Sequence, residues 1–129
     1  MRLKLRYQKM ELTKKQIFEN LRRVSNNAYE DFLKTKIALD SDVEHIEFLK
    51  SKIDIKEVQL RELTRGKQYT FLKLHELEID ELNSEINRLK RSLDICRENF
   101  KNLEIEYQKV EATLVAARKK EDEFFNENF

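Results

Sequence analysis

The sequence predicts an all-α protein whose long amphipathic helices form a coiled coil, drawn out as an extended rod. Three observations carry this expectation. The 129 residues include one glycine, Gly66, and no proline, and these are the residues that supply unusual backbone angles in turns and that end helices. Charged and hydrophobic residues each make up 40% of the chain, with no tryptophan, a balance typical of long solvent-bathed helices and coiled coils. Apolar residues recur in rows seven apart, a narrow stripe that a lone helix in water leaves uncovered. A partner helix, or a fold-back of the chain on itself, is therefore implied.

The N-terminal segment has its own register: Leu3, Tyr7, Met10, Ile17, Leu21, Val24 and Ala28, with Lys14 filling one seam position. The step of four from Ala28 to Phe32 is a stutter that changes supercoil winding, so a register shift is expected near 28–32. The middle segment repeats every seven residues at Phe32, Leu39, Ile46, Ile53 and Leu60. Its companions three residues on are mixed: Thr35, Asp42, Leu49, Lys56 and Leu63. Ile37, Phe48, Ile55 and Val58 lie off this row altogether, and such a broad apolar face suits a bundle or contact with more than one neighbour.

A second register shift falls at 61–71, around Thr64-Arg65-Gly66-Lys67. Two readings stay open there. Gly66 can take a left-handed C′ cap and turn the chain back as an antiparallel helical hairpin. Alternatively helix runs straight through, at a cost of about 1 kcal/mol relative to alanine. With no cluster of turn residues nearby, the straight helix is favoured, and the resulting rod would extend about 190 Å.

The C-terminal half carries the most regular pattern. Leu72, Ile79, Ile86, Leu93, Phe100, Tyr107 and Leu114 recur every seven residues, as a positions. Leu82, Leu89, Cys96, Leu103, Val110, Ala117 and Phe124 follow three residues behind, as d positions. Alternating steps of three and four put both rows on one side of a helix, and a sustained seven-residue repeat implies left-handed supercoiling. The candidate partner-helix interface is accordingly Leu72, Ile79, Leu82, Ile86, Leu89, Leu93, Cys96, Phe100, Leu103, Tyr107, Val110 and Leu114. In a parallel homodimer Glu85 would meet Lys90 and attract, whereas Glu106 would meet Glu111 and repel. This pairing does not encode self-association, so other coiled-coil chains in a hetero-oligomer are expected as partners, in preference to a homodimer.

Thr13-Lys-Lys-Gln16, Asn27-Ala-Tyr-Glu30 and Ser41-Asp-Val-Glu44 all fit a capping box. Three matches in one chain make each unspecific, and solvated polar side chains on a helix face are the simpler reading. The end of the chain, Glu121 to Phe129, reads as a frayed terminus or a small docking tip.

Chemistry is sparsely signalled. Asp42 and His45 form the one carboxylate-x-x-His pair in the chain, short of the paired Glu-x-x-His motifs of di-metal bundles. Cys96 occupies a seam position, where a small apolar side chain packs. No glycine-rich phosphate loop, nucleophile elbow or Cys-x-x-Cys pair occurs. Catalytic residues, metal ligands and cofactors are thus not expected. The 26 basic and 25 acidic residues leave a formal charge of +1, which provides no single-sign field for nucleic acid or an anionic membrane. Basic clusters such as Arg22-Arg23 and Arg118-Lys119-Lys120 sit among acids. The charged start, MRLKLRYQKM, lacks the apolar core of a signal peptide, and one cysteine suits a reducing compartment, so an intracellular, cytoplasmic or cytoskeletal setting is expected.

The chain resembles in type, though in no family-specific motif, the long coiled coils of the cytoskeleton, cilia, centrosomes, membrane tethers and chromosome-organising arms. The expected function is a non-enzymatic structural scaffold, cytoskeletal or axonemal in setting, formed by residues 1–129 as a single coiled-coil unit within a larger assembly or longer chain. The alternatives are an adaptor hairpin that binds a client protein, and an accessory coiled coil associated with nucleic acid.

Overall fold

The structure, a computed structural model, describes residues 13–129. Three helices follow in order: α1, Lys14–Thr64; α2, Tyr69–Leu74; and α3, Glu76–Asn128. No strand occurs among the described residues. Leu3, Tyr7 and Met10 of the first expected register lie outside them.

α1 begins at a true capping box. The Gln16 backbone N–H donates to Thr13 Oγ1 at 3.1 Å, and the Thr13 N–H donates to Gln16 Oε1 at 3.0 Å. Two N–H groups that an α-helix leaves unpaired at its start are satisfied reciprocally. Thr13-Lys-Lys-Gln16 is therefore more than a run of solvated side chains. The Asn27 and Ser41 patterns lie within the unbroken helix and start nothing.

α1 does not run through Gly66. It ends at Thr64, whose hydroxyl donates back to the Leu60 carbonyl at 2.8 Å. Gly66 sits at φ +66°, in the left-handed region. A Cβ added there would meet no atom within 4 Å, so the backbone angle, and not space, is what suits glycine. The straight helix favoured from sequence is replaced by the turn, because one glycine that tolerates the left-handed angle lets the apolar stripes on either side of it face each other. Gln68 is extended, α2 makes one and a half turns with no buried residue, and His75 links it to α3. Glu76 and Glu78 occupy the first turn of α3, where negative charge complements the helix dipole.

The packing forms two units. One joins α1 as far as Ile37 with Ile105–Phe129, and the other runs from Ala38 to Glu104. In the second unit, an antiparallel helical hairpin, Ile46, Leu49 and Ile53 of α1 form a buried cluster with Leu93 of α3, flanked by Leu89, Cys96 and Phe100. In the first, Ala28 packs with Leu114 and Ala117, and Phe32 lies beside them. There too the helices are antiparallel: Phe18 meets Phe125 and Phe129 at ring separations of 5.6 and 5.7 Å, and Phe32 meets Tyr107 at 5.2 Å. α3 stays helical to Asn128, so the end is not frayed in the described structure.

The inward side of α1 follows one unbroken phase. Phe18, Ser25, Phe32, Leu39, Ile46, Ile53 and Leu60 are buried or half-buried, as are Leu21, Ala28, Thr35, Asp42, Leu49, Lys56 and Leu63 three residues on. No change of phase occurs at 28–32. Val24, taken for a seam residue, is 56% exposed, while its neighbour Ser25 is buried. A polar residue inside the stripe and an apolar one beside it produce a false stutter in the sequence.

Replacing Gly66 with alanine is expected to destabilise the turn by about 1 kcal/mol, read as a lower urea midpoint, with asparagine less costly than alanine. An unchanged midpoint in Gly66→Ala would contradict the left-handed conformation.

Candidate functional site

The α3 stripe is the first place to look for a binding surface. Ile86, Leu93 and Leu114 are buried, and Leu72, Ile79, Leu82, Leu89, Cys96, Phe100, Leu103, Tyr107 and Val110 are half-buried. Leu72 stands on α2 and the others on α3. In the second unit, Leu89, Leu93, Cys96 and Phe100 pack on Ile46, Leu49 and Ile53. In the first, Tyr107 and Leu114 meet Phe32 and Ala28. Of the side chains expected to bind another coiled-coil chain, Leu89, Leu93, Cys96, Phe100, Tyr107 and Leu114 pack against α1 of the same chain.

The antiparallel sense changes which charges meet. Glu85 pairs with Lys56 at 2.9 Å and Lys90 with Glu57 at 3.1 Å, in place of the Glu85–Lys90 attraction of a parallel dimer. Lys56 lowers the Glu85 pKa, first through its hydrogen bond and then through its charge; Arg88 adds a smaller electrostatic effect against a desolvation cost.

What the seam leaves over is outward apolar surface. In the second unit Phe48 is 53%, Ile55 56% and Ile95 63% exposed. Near the turn, Tyr69, Leu74 and Leu77 are more exposed still. Phe48 and Ile55 are legible in the sequence as residues off the seam. Ile95 and the turn residues are not, because the α3 rows beside them are already complete and an extra apolar residue draws no notice.

Between α1 and α3 of this unit, Lys52, Ile55, Lys56, Gln59, Glu85, Arg88 and Leu89 line a groove of about 430 Å³. Ile55 and Leu89 give it an apolar lining, and the Lys52 ammonium lies 4.7 Å from the centre of the Phe48 ring. Such an arrangement can bind an amphipathic surface.

Among the described residues, no group of three or more His, Cys, Asp or Glu side chains is placed to hold a metal ion. His45 of the Asp42–His45 pair lies alongside the Phe48 ring, and His75 packs on Phe71 with Glu78 3.4 Å from its Nδ1. No described helix is long and apolar enough to cross a membrane. Compared with known proteins, the chain matches no family model, no curated protein and no solved structure.

Leu93→Ala is expected to cost about 2–5 kcal/mol in a denaturant melt, whereas Phe48→Ser should stay within about 0.5 kcal/mol; equal effects would mean that the seam is not the core. The Glu85 pair sets a pH dependence. Its folded-state pKa is depressed, so its contribution is present above the ordinary carboxylate pKa and is lost as pH falls through the lower folded value. Glu85→Gln should therefore flatten the acid side of a thermal-stability profile, and an unchanged slope would count against the pair.

Proposed function

We propose that this protein is a non-enzymatic adaptor, a helical module that binds a client protein through side chains outside its own seam. One observation carries the reading: the α1 and α3 stripes cover each other, while Phe48, Ile55 and Ile95 remain more than half exposed on one unit. Single exposed apolar residues are ordinary on protein surfaces, but several on one module offer the anchors that helix-recognising interfaces use. A seam already occupied is poorly suited to recruiting a second coiled-coil chain, which favours the adaptor over a rod that assembles through those same rows. If the chain serves a scaffold of cytoskeletal or other kind, its assembly contacts belong to the outward residues.

The test is site-specific photo-cross-linking. A benzophenone amino acid is placed in turn at Phe48, at Tyr69 and, as a buried control, at Leu93, and the protein is irradiated in the cells that produce it. Discrete protein adducts are expected from outward positions and none from Leu93. The absence of adducts from every outward position in either unit would end the adaptor reading.

A further inference from the structure

From the charge and spacing of the groove in the second unit, we infer that it binds an acidic amphipathic helix of a partner protein; this rests on the adaptor reading and names its site and ligand class. Phe48 and Ile55 are seven residues apart on α1, two helical turns, and both are exposed. Arg88 and Ile95 are likewise seven apart on α3, so they share one face of that helix. Two apolar anchors at heptad spacing match the repeat by which a docking helix presents its own apolar residues.

The charged side chains of the groove are mostly cationic. It is lined by Lys52, Lys56 and Arg88 against one acid, Glu85. Glu85 is engaged by Lys56 at 2.9 Å. Among the described residues no carboxylate lies within ion-pair distance of Lys52 or Arg88. In a chain with nearly equal numbers of acids and bases, this leaves two cations beside an apolar strip outside any ion pair, Lys52 resting over the Phe48 ring and Arg88 acting on Glu85 only as a minor electrostatic influence. Glutamate or aspartate flanking the apolar stripe of an incoming helix would supply them, and like charges there would be repelled. A nucleic-acid backbone would satisfy the cations but offers no apolar surface to Phe48 and Ile55.

The probe is a fluorescein-labelled synthetic helix with leucine at its a and d positions and glutamate elsewhere, compared with an otherwise identical peptide carrying lysine in place of glutamate. Fluorescence anisotropy is read against the full chain. The glutamate peptide should bind at least about tenfold more tightly than the lysine peptide, and more weakly as salt rises. The double variant Lys52→Glu/Arg88→Glu should lose about tenfold or more in affinity for the glutamate peptide, and Ile55→Ser should weaken it as well. Both variants alter exposed side chains, so an unchanged helical circular dichroism spectrum and melting temperature separate lost binding from lost folding. Equal binding of the two peptides, no binding of either, or undiminished binding by the charge-reversed variant overturns the proposal. Light scattering covers the remaining occupant: a dimer that Ile55→Ser converts to monomer would make the groove a contact between copies of this chain and also overturns it. Should the peptide fail while photo-adducts persist at Tyr69, the adaptor reading stands and its site lies elsewhere; failure of both removes that reading too.

Discussion

Each long helix of this protein carries an apolar stripe along one side, and water opposes leaving either exposed. In each unit the stripes of α1 and α3 cover one another: Ile46, Leu49 and Ile53 against Leu93, and Ala28 against Leu114 and Ala117. Burying one such leucine or isoleucine is worth about 1.5–3 kcal/mol, while an exposed ion pair such as Lys90–Glu57 is worth under about 1 kcal/mol. The apolar stripes hold the helices together, and the charges beside them refine how they meet.

The antiparallel arrangement follows from one position. Gly66 alone in the chain lacks a Cβ, and it adopts the left-handed angle that ends α1. Once the chain turns there, Glu85 faces Lys56 and Glu57 faces Lys90. The Glu85–Lys90 attraction that a parallel dimer would use is thereby replaced. The capping box at Thr13 and the acidic first turn of α3 serve the same helices locally, by satisfying or complementing the ends that intrahelical bonding leaves open.

The functional question moves outward as a result. A seam occupied by the chain's own helix has little left to offer a partner, and the proposed adaptor would bind through the residues that the seam excludes. Phe48, Ile55 and Ile95 are largely exposed apolar side chains, and Lys52 and Arg88 on the same helices make no ion pair among the described residues. An adaptor reading uses these surplus side chains. A filament reading would use the stripe, and the stripe is covered.

The all-helical class was readable from the sequence, because the near absence of turn residues and a strict seven-residue repeat each constrain secondary structure through local geometry. The inward positions of α3 from Ile79 to Leu114 could be read in the same way, since periodicity alone decides which side chains share a face. The α1 register was harder: Ser25 buried beside an exposed Val24 mimics a stutter, and local hydropathy cannot tell a small polar residue inside a seam from a break in it. Whether Gly66 bends or continues the helix was undetermined locally, as a glycine inside a helix costs only about 1 kcal/mol relative to alanine. Contacts between stripes distant in sequence decide that balance, so the turn, the partner of each stripe and the grouping of Lys52, Ile55 and Arg88 into one groove belong to the tertiary structure.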